Sequence, residues 1–213
     1  ANPPAAARVG AGILEAGGNA IDAAVAASLT CCMLRPNQTG VGGYVCAAVI
    51  RDGRTGQIWC VDANGVAPAA AHEDMFRILP RGPIGESWLN ELEYFCTVPD
   101  NANVIGPLSI TAPGMMAGMG MTHERWGQLP WPSIVAPSLE LLAQGFPYEE
   151  VAQVIKAKER VIRRFPASAQ HLMPSGKPPA TEDIWHRQDM EKTLARVSQV
   201  GWRDFYEGEI GRR

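Results

Sequence analysis

Apolar and polar positions along the first 34 residues predict two consecutive helices. The first carries a single apolar stripe and is ended by Gly17 and Gly18. Asn19 is a good N-cap for the second helix, and Asp22 lies in its first turn, where negative charge is favoured. Because residues 20–34 are alanine-rich and apolar nearly all round, this second helix is predicted to be buried, with close approach of its neighbours.

Residues 44–51 and 57–62 are predicted to form the two strands of a β-hairpin. The segment between them reads Asp-Gly-Arg-Thr-Gly, which is typical of a turn. Both strands carry apolar side chains on both faces, so a sheet that is covered on both sides is expected.

The rest of the pattern is mostly helical. Long helices are predicted at residues 114–126, 131–145, 148–164 and 188–199, with a short helix at 73–79, a short buried strand at 108–111 and a proline-rich loop at 165–183. No internal repeat or low-complexity linker marks a boundary. Residues 1–213 are therefore predicted to form a single partial domain.

Composition and charge exclude several classes of function. The apolar fraction of 46% is sufficient for a core, and the formal net charge is only -3. The chain has no basic stripe, so no nucleic-acid partner is expected. No apolar run approaches the ~20 residues that span a bilayer, so no membrane association is expected.

The cysteine pattern favours free thiols over a disulfide framework. The five cysteines are odd in number, two are adjacent, and most lie in apolar runs, where a thiol behaves as a small hydrophobe; they are Cys31, Cys32, Cys46, Cys60 and Cys96. None has CxxC spacing, so no metal site is expected. Reduced core cysteines predict a cytoplasmic protein, and a periplasmic or secreted location is the alternative left open.

Local motifs do not define a reaction by themselves. Gly10-Ala11-Gly12 begins like a dinucleotide fingerprint, but no strand precedes it and Glu15 stands where the third glycine belongs. The glycine-rich segment 40–43 fits a tight connection needing positive φ better than an anion-binding loop, although both remain open. The four histidines are scattered and none is predicted to be a catalytic base: His72, His123, His171 and His186.

A longer run of residues does point to a family. Residues 17–27, read GGNAIDAAVAA, closely resemble the signature near the start of the large subunit of γ-glutamyltranspeptidases. Further blocks resemble the family in the same order along the chain, at residues 36–43, 61–68, 112–114, 127–131, 136–146 and 201–210. Because these matches are ordered and span nearly the whole chain, it is identified as a member of this family, in the large-subunit region.

The resemblance implies an α+β protein with the four-layer αββα fold of N-terminal-nucleophile hydrolases. In this family a proenzyme cuts itself just before a Thr, which becomes the N-terminus of the small subunit. The Thr hydroxyl attacks an amide carbonyl with its own α-amine as base, and water or an amine resolves the acyl-enzyme. The resemblance thus implies a companion small subunit, a small-molecule amide substrate and no metal or organic cofactor, and it leaves a higher homo-oligomer open.

No catalytic residue is expected within residues 1–213. The threonines of the chain are internal and stand in contexts unlike that of the family's nucleophile, so the resemblance places the N-terminal Thr on the companion chain. The chain alone is therefore expected to be inactive.

The predicted substrate-binding residues are Asn64 and Gly65. The family's clamp loop reads Arg-Glu, then one residue, then Ala-Pro; Asn64 and Gly65 stand at the first two places, ahead of Ala67 and Pro68. In the transpeptidases the Arg grips the α-carboxylate of the γ-glutamyl group through a charged, two-pronged hydrogen bond, which Asn cannot supply. Because losing such a contact costs about 1.5–3 kcal/mol, altered acyl-donor specificity is predicted.

Three alternatives remain open at this point. Asn64 is equally consistent with a turn residue that tolerates positive φ. The protein could instead be a true γ-glutamyltransferase or glutathione hydrolase whose carboxylate clamp comes from Arg51 or Arg54 on the hairpin. A catalytically inactive scaffold of the same fold is the third alternative.

Overall fold

The computed structural model describes residues 3–79 and 98–212, which belong to two compact units. The first unit is Ala1–Asn64 with Pro113–Arg213, and the second is Gly65–Ala112. The helices are α1 (Pro4–Glu15), α2 (Ala20–Leu34), α3 (Met115–Trp126), α4 (Trp131–Gln144), α5 (Glu150–Ile162), α6 (Pro166–Leu172), α7 (Gln188–Val200) and α8 (Glu209–Arg212). The strands are β1 (Ala47–Arg51), β2 (Ile58–Asp62), β3 (Phe146–Pro147) and β4 (Ile184–Trp185), and they form two antiparallel pairs, β1–β2 and β3–β4. The single partial domain stays a prediction.

The start of α2 is fixed by a capping box, in which Asn19 is the N-cap residue that the sequence predicts. The Asn19 Oδ1 atom accepts hydrogen bonds from the N–H groups of Ile21 at 2.9 Å and Asp22 at 3.1 Å. In return, Asp22 Oδ2 accepts one from the Asn19 N–H at 2.9 Å. Gly17 has φ of +88°, a conformation that suits glycine and ends α1. The predicted helical pair is confirmed.

Helix α2 lies at the centre of the core. It packs against α1, α3 and α4, and Leu29 and Met33 are fully buried. Small residues allow α1 to come close, because a Cβ atom at Gly10 would lie 3.4 Å from the Ala23 carbonyl oxygen and 3.6 Å from Ala27 Cβ. The prediction of a buried helix that neighbours approach closely is confirmed.

The C-terminal end of α2 is held by an arginine from the far end of the chain. Arg187 is 6% exposed, and its Nη1 atom donates to the carbonyl oxygens of Met33 at 2.7 Å and Cys32 at 3.3 Å. No carboxylate among the described residues pairs with Arg187. The last-turn carbonyls carry the negative end of the helix dipole, and they take the place of a counter-ion.

The predicted hairpin is confirmed, but its predicted covering is not. Strands β1 and β2 pair antiparallel, with Ala47 opposite Asp62 and Arg51 opposite Ile58. Of the described apolar side chains in these strands, Ile50 is buried, whereas Val49 is 75% exposed and Ile58 is 64% exposed. One face is therefore covered and the other faces solvent, because the described residues supply no layer to cover it.

The long helices predicted after residue 113 are confirmed as α3, α4, α5 and α7. The loop predicted at 165–183 is wrong at its start, where α6 forms. Pro166 stands in the first turn of α6, where a missing N–H costs nothing, so this proline begins a helix instead of breaking one.

Two short predicted elements are wrong. Residues 73–79 form no helix and contain a turn at 73–74 and a bend at 75–76, since so short a segment cannot offset the cost of nucleation. The strand predicted at 108–111 is replaced by the 3₁₀ helix Pro107–Ser109, and Ile110 is exposed. Pro107 fixes φ and removes an N–H, which favours the tight turn. Residues 80–85, whose prolines and glycines predict a break after the 73–79 segment, lie outside the described residues.

A carboxylate near the end of the chain ties α7 to α8. Asp204 accepts hydrogen bonds from Arg196 Nε at 2.6 Å and Nη2 at 2.8 Å. The same carboxylate accepts the N–H groups of Glu209 at 3.2 Å and Ile210 at 3.3 Å. The Arg196 guanidinium, with these N–H groups, holds the pKa of Asp204 well below its ordinary value of 3.8.

This arrangement predicts a dependence of stability on pH. A carboxyl whose pKa is lowered by folding contributes stability fully above its ordinary pKa and loses that contribution as pH falls through the folded value. The melting temperature of the wild-type protein is expected to fall between about pH 5 and about pH 2, and that of Asp204→Asn to fall less over the same range. Thermal unfolding of both proteins across this range measures the difference. Parallel curves for the two proteins would contradict the assignment.

Candidate active site

The N-terminus of α3 is capped entirely by distant parts of the chain. Its N-cap residue is Gly114, which has no side chain to offer. The Gly43 carbonyl oxygen accepts the N–H groups of Gly114 at 3.2 Å and Met115 at 3.0 Å. The Tyr206 hydroxyl accepts the Ala117 N–H at 2.9 Å. These bonds satisfy first-turn donors that a helix leaves without partners.

The predicted clamp segment rests against the same helix start. The Ala63 N–H donates to the Cys46 carbonyl oxygen at 2.8 Å, which extends the hairpin beyond β2. A Cβ atom at Gly114 would overlap the Ala63 carbonyl oxygen and lie 3.1 Å from the Asn64 carbonyl carbon. Gly114 is thus required for close backbone approach. Gly43, Ala63, Gly114 and Tyr206 meet here, and each comes from a different family-matching block.

Asn64 is exposed and is held in a turn by its own neighbour. Its backbone N–H and its Nδ2 atom both donate to Asp62 Oδ1, at 3.1 Å and 2.7 Å. Neither Asn64 nor Gly65 has a positive φ. Asn64 is therefore a turn residue, but the turn is held by hydrogen bonds to Asp62. The positive φ expected for it is wrong. Substrate binding by Asn64 and Gly65 stays a prediction.

The glycine-rich segment 40–43 serves as a connection. The Gly43 N–H donates to the Gly40 carbonyl oxygen at 2.7 Å, so this donor is already used. The segment's glycines do not have positive φ, and Val41 is 5% exposed. The connection is tight, but the positive φ expected for it is absent from these residues.

The most specific family block, 17–27, contacts the loop that follows α3. Asp22, which is fully buried, accepts the N–H groups of Gln128 at 3.0 Å and Leu129 at 3.3 Å. The Asn19 Nδ2 atom donates to the Trp126 carbonyl oxygen at 2.7 Å. The start of α2 thereby fixes the loop that ends α3, so this motif acts by positioning the helix.

His123 and Cys32 are buried in the core of the described residues. His123 is 8% exposed and its Nε2 atom lies 2.9 Å from the Leu129 carbonyl oxygen, which is a packing position. Burial raises the pKa of the Cys32 thiol to about 11, so it is protonated at neutral pH. Among the described residues, Cys31, Cys32, Cys46 and Cys60 form no disulfide, and Cys60 is exposed and not in the core. Cys96 lies outside the described residues.

Other features of the described residues bear on the candidate chemistry. Residues 3–79 and 98–212 contain no group of three or more metal-ligating side chains arranged to hold an ion. Within the same ranges, no helix is long and apolar enough to cross a bilayer.

One cleft of about 560 Å³ lies between α6, β4 and the start of α7, with Tyr148, His171 and Trp185 among its lining residues. Because this cleft excludes Asn64, it is separate from the predicted clamp.

Solved structures define the class of fold. The γ-glutamyltranspeptidase of Helicobacter pylori superposes with a TM-score of 0.85 at 25% sequence identity, over 100% of this chain and 56% of that one. The chain thus has the α+β fold of N-terminal-nucleophile hydrolases, whose four-layer αββα arrangement it supplies in part.

Sequence comparisons define the family. The family model described as gamma-glutamyltranspeptidase matches residues 6–213, and the chain belongs to this family. A glutathione hydrolase proenzyme from Bacillus subtilis is 30% identical over 98% of this chain and 33% of its own length. An acylase ACY 1 proenzyme from Pseudomonas sp. (strain V22) is 31% identical over 99% of this chain and 36% of its own length. The chain spans about a third of the length of these curated relatives.

Two residues of the site were missed by sequence reasoning. Tyr206 was recognised only as part of a family block, and the role of the Gly43 carbonyl oxygen was not foreseen. Both act through contacts with residues more than 70 positions away, which no local pattern encodes. The position of Tyr206 within a matching block, two residues before Gly208, was the only available signal.

Proposed function

We propose that this chain is the large-subunit part of a self-processing, γ-glutamyltranspeptidase-like amidohydrolase with altered acyl-donor specificity. The observation that carries the proposal is the meeting of four family-matching blocks at the start of α3, with Asn64 exposed at its edge. In this proposal an N-terminal Thr on a companion small subunit from the same proenzyme attacks the amide carbonyl, with its α-amine as base. Residues of the present chain hold the acyl group.

The exposed face of β1 and β2 supports a companion subunit. Val49 and Ile58 are 75% and 64% exposed, and Cys60 beside them is also exposed. Contiguous apolar surface of this kind is typical of an interface. We propose that the companion packs on this face and completes the sheet layers that the family fold requires.

Charge at the clamp supports a substrate without an α-carboxylate. Asp62 places a carboxylate 2.7 Å from the Asn64 amide nitrogen, and no arginine stands at the clamp position. A substrate carboxylate at this point would face like charge and lack the two-pronged partner that arginine supplies. The similarity to an acylase proenzyme supports an amide other than a γ-glutamyl compound.

The geometry of the hairpin disfavours a clamp from Arg51 or Arg54. The register places Ala47 opposite Asp62, so Arg51 stands four residues further along β1, about 13 Å at ~3.3 Å per residue. Arg54 lies beyond it in the turn, where its N–H donates to Asp52. Both arginines belong to the opposite end of the hairpin from Asn64.

Restoring the arginine is expected to restore γ-glutamyl recognition. In the protein expressed with the rest of its reading frame, Asn64→Arg is expected to raise kcat/KM for γ-glutamyl-p-nitroanilide about 10–100-fold, the value of one charged hydrogen-bonded pair. Butyryl-p-nitroanilide, the same acyl group without its α-amino and α-carboxylate groups, is expected to change less than about twofold. Steady-state hydrolysis of both compounds gives the ratio.

A matched control separates the clamp from general charge. Thr55→Arg adds the same charge at the exposed turn of the hairpin and is expected to leave the ratio unchanged. Hydrolysis of γ-glutamyl-p-nitroanilide by the wild-type protein at the rate of a true transpeptidase, with no effect of Asn64→Ala, would overturn the specificity proposal.

The inactive-scaffold alternative is tested on the purified protein. Intact mass with N-terminal sequencing is expected to show a companion chain that begins with Thr. Its absence would favour the scaffold. Native mass from the same preparation tests for a higher homo-oligomer. The cytoplasmic compartment stays a prediction that fractionation of the source cells can check.

A further inference from the structure

Tyr206 is held in place by aromatic packing of its ring and by two hydrogen bonds of its hydroxyl. The ring lies edge-on to Phe205 at 5.3 Å and to Trp202 at 6.2 Å between centroids. Its hydroxyl accepts the Ala117 N–H at 2.9 Å and donates to the Pro113 carbonyl oxygen at 3.0 Å. A phenol has one proton to donate, so both bonds together fix the orientation of the hydroxyl.

The two partners lie on either side of the first turn of α3. Pro113 precedes the N-cap, and Ala117 carries one of the first-turn N–H groups that have no partner within the helix. A side chain 89 residues away in sequence from Ala117 therefore does what an N-cap side chain would do, because Gly114 cannot. Burial raises the pKa of the Tyr206 hydroxyl, so it keeps its proton at neutral pH.

Gly114 transmits the position of this turn to the clamp. There is no space between Gly114 and the Ala63 carbonyl oxygen even for a methyl group. Because the two backbones pack this closely, a shift of Gly114 towards Ala63 would press on Ala63 and on Asn64 beside it. The Gly43 carbonyl oxygen holds the same turn from the other side through two N–H groups.

We propose that Tyr206 is a positioning residue for the Asn64 clamp, acting through Pro113 and Gly114. This inference rests on the proposed function for its enzymatic consequence, but not for its structural one. Tyr206 has no hydrogen bond to Asn64, so its effect passes through the backbone that both contact. The hydroxyl, and not the ring, carries this effect.

The first test uses Tyr206→Phe, which keeps the ring and removes the hydroxyl. The experiment is made in the protein expressed with the rest of its reading frame, in the Asn64→Arg background, with γ-glutamyl-p-nitroanilide. KM is expected to rise about tenfold while kcat stays within about twofold, because substrate binding is weakened and the chemical step is not. A loss of kcat with unchanged KM would indicate only a smaller folded fraction and would overturn the proposal.

A matched control is available at Tyr148. Its ring stacks on Trp185 at 4.7 Å, and its hydroxyl forms no hydrogen bond with any residue that the structure describes. Tyr148→Phe is the same chemical change within the same compact unit and is expected to leave KM unchanged. An equal rise in KM for both variants would also overturn the proposal.

Hydrogen exchange tests the structural part without any substrate. The Ala63 N–H, which is bonded to Cys46, is expected to exchange about tenfold faster in Tyr206→Phe than in the wild-type protein. If that variant does not fold, exchange of the wild-type protein at increasing denaturant serves instead. The Ala63 and Ala117 amides are expected to open together, and independent opening would contradict the coupling. If both compounds resist hydrolysis while exchange behaves as expected, the proposed function fails and the positioning role stands.

Discussion

Replacing Asp22 with alanine is expected to lower the free energy of unfolding by about 4 kcal/mol, because a buried charged acceptor serves several donors at once. The carboxylate accepts the N–H groups of Asn19 at 2.9 Å, Gln128 at 3.0 Å and Leu129 at 3.3 Å, and it is fully buried. Alanine would leave these donors without a partner and open a cavity. Urea unfolding monitored by tryptophan fluorescence measures the change.

The control for this prediction is a second aspartate in the first turn of a helix. Asp189 lies in the first turn of α7 and is exposed, with one ion pair to Lys192 at 3.8 Å. Exposed pairs of this kind contribute less than about 1 kcal/mol, so Asp189→Ala is expected to have little effect. A loss below about 1 kcal/mol for Asp22→Ala would contradict the role assigned to its carboxylate.

Replacing Gly114 with alanine is expected to lower the free energy of unfolding by about 3 kcal/mol and to abolish substrate recognition at the clamp. Gly114 has φ of -99°, so alanine meets no backbone strain there. The cost comes from the added methyl group, which overlaps the Ala63 carbonyl oxygen. Because the overlapped atom belongs to the backbone, relief requires movement of the Ala63–Asn64 segment. Thermal unfolding and KM for γ-glutamyl-p-nitroanilide in the Asn64→Arg background measure the two effects.

A glycine-to-alanine substitution in α1 is expected to change the free energy of unfolding in the opposite direction. A Cβ atom at Gly12 would meet no atom within 4 Å. Alanine is favoured over glycine in a helix by about 1 kcal/mol, so Gly12→Ala is expected to stabilise the protein. Similar melting temperatures for the two variants would show that the contact at Gly114 is not restrictive.

Elements with local signals were predicted correctly. Asn19 and Asp22 specify the start of α2 through side chains three residues apart, and the connection between β1 and β2 is only six residues long. Pro166 was misinterpreted because proline ends one helix and begins another, and only tertiary packing distinguishes the two cases. Both faces of the hairpin strands carry apolar side chains, and this pattern predicted a sheet covered on both sides. The described residues cover only one of the two faces.

The candidate site was predictable only in part. Asn64 and Gly65 were located through the family resemblance, and no physical signal in their neighbourhood would have selected them. The contacts that hold the site, from Gly43 and Tyr206 to the start of α3, join segments that are distant in sequence. A backbone carbonyl has no sequence signature at all, so its role becomes visible only in three dimensions.

Arg187, which donates to the last-turn carbonyl oxygens of α2, also determines when the contacts of this helix can be completed during synthesis. Met33 and Arg187 are 154 residues apart, so the helix leaves the ribosome long before the side chain that holds its last turn. At about 5–20 residues per second, the delay is about 8–30 s. During that interval a nearly all-apolar helix lacks its stabilising contact at one end, and its surface is available to chaperones or to aggregation. The nascent chain is therefore expected to depend on chaperones until the region of α7 has emerged.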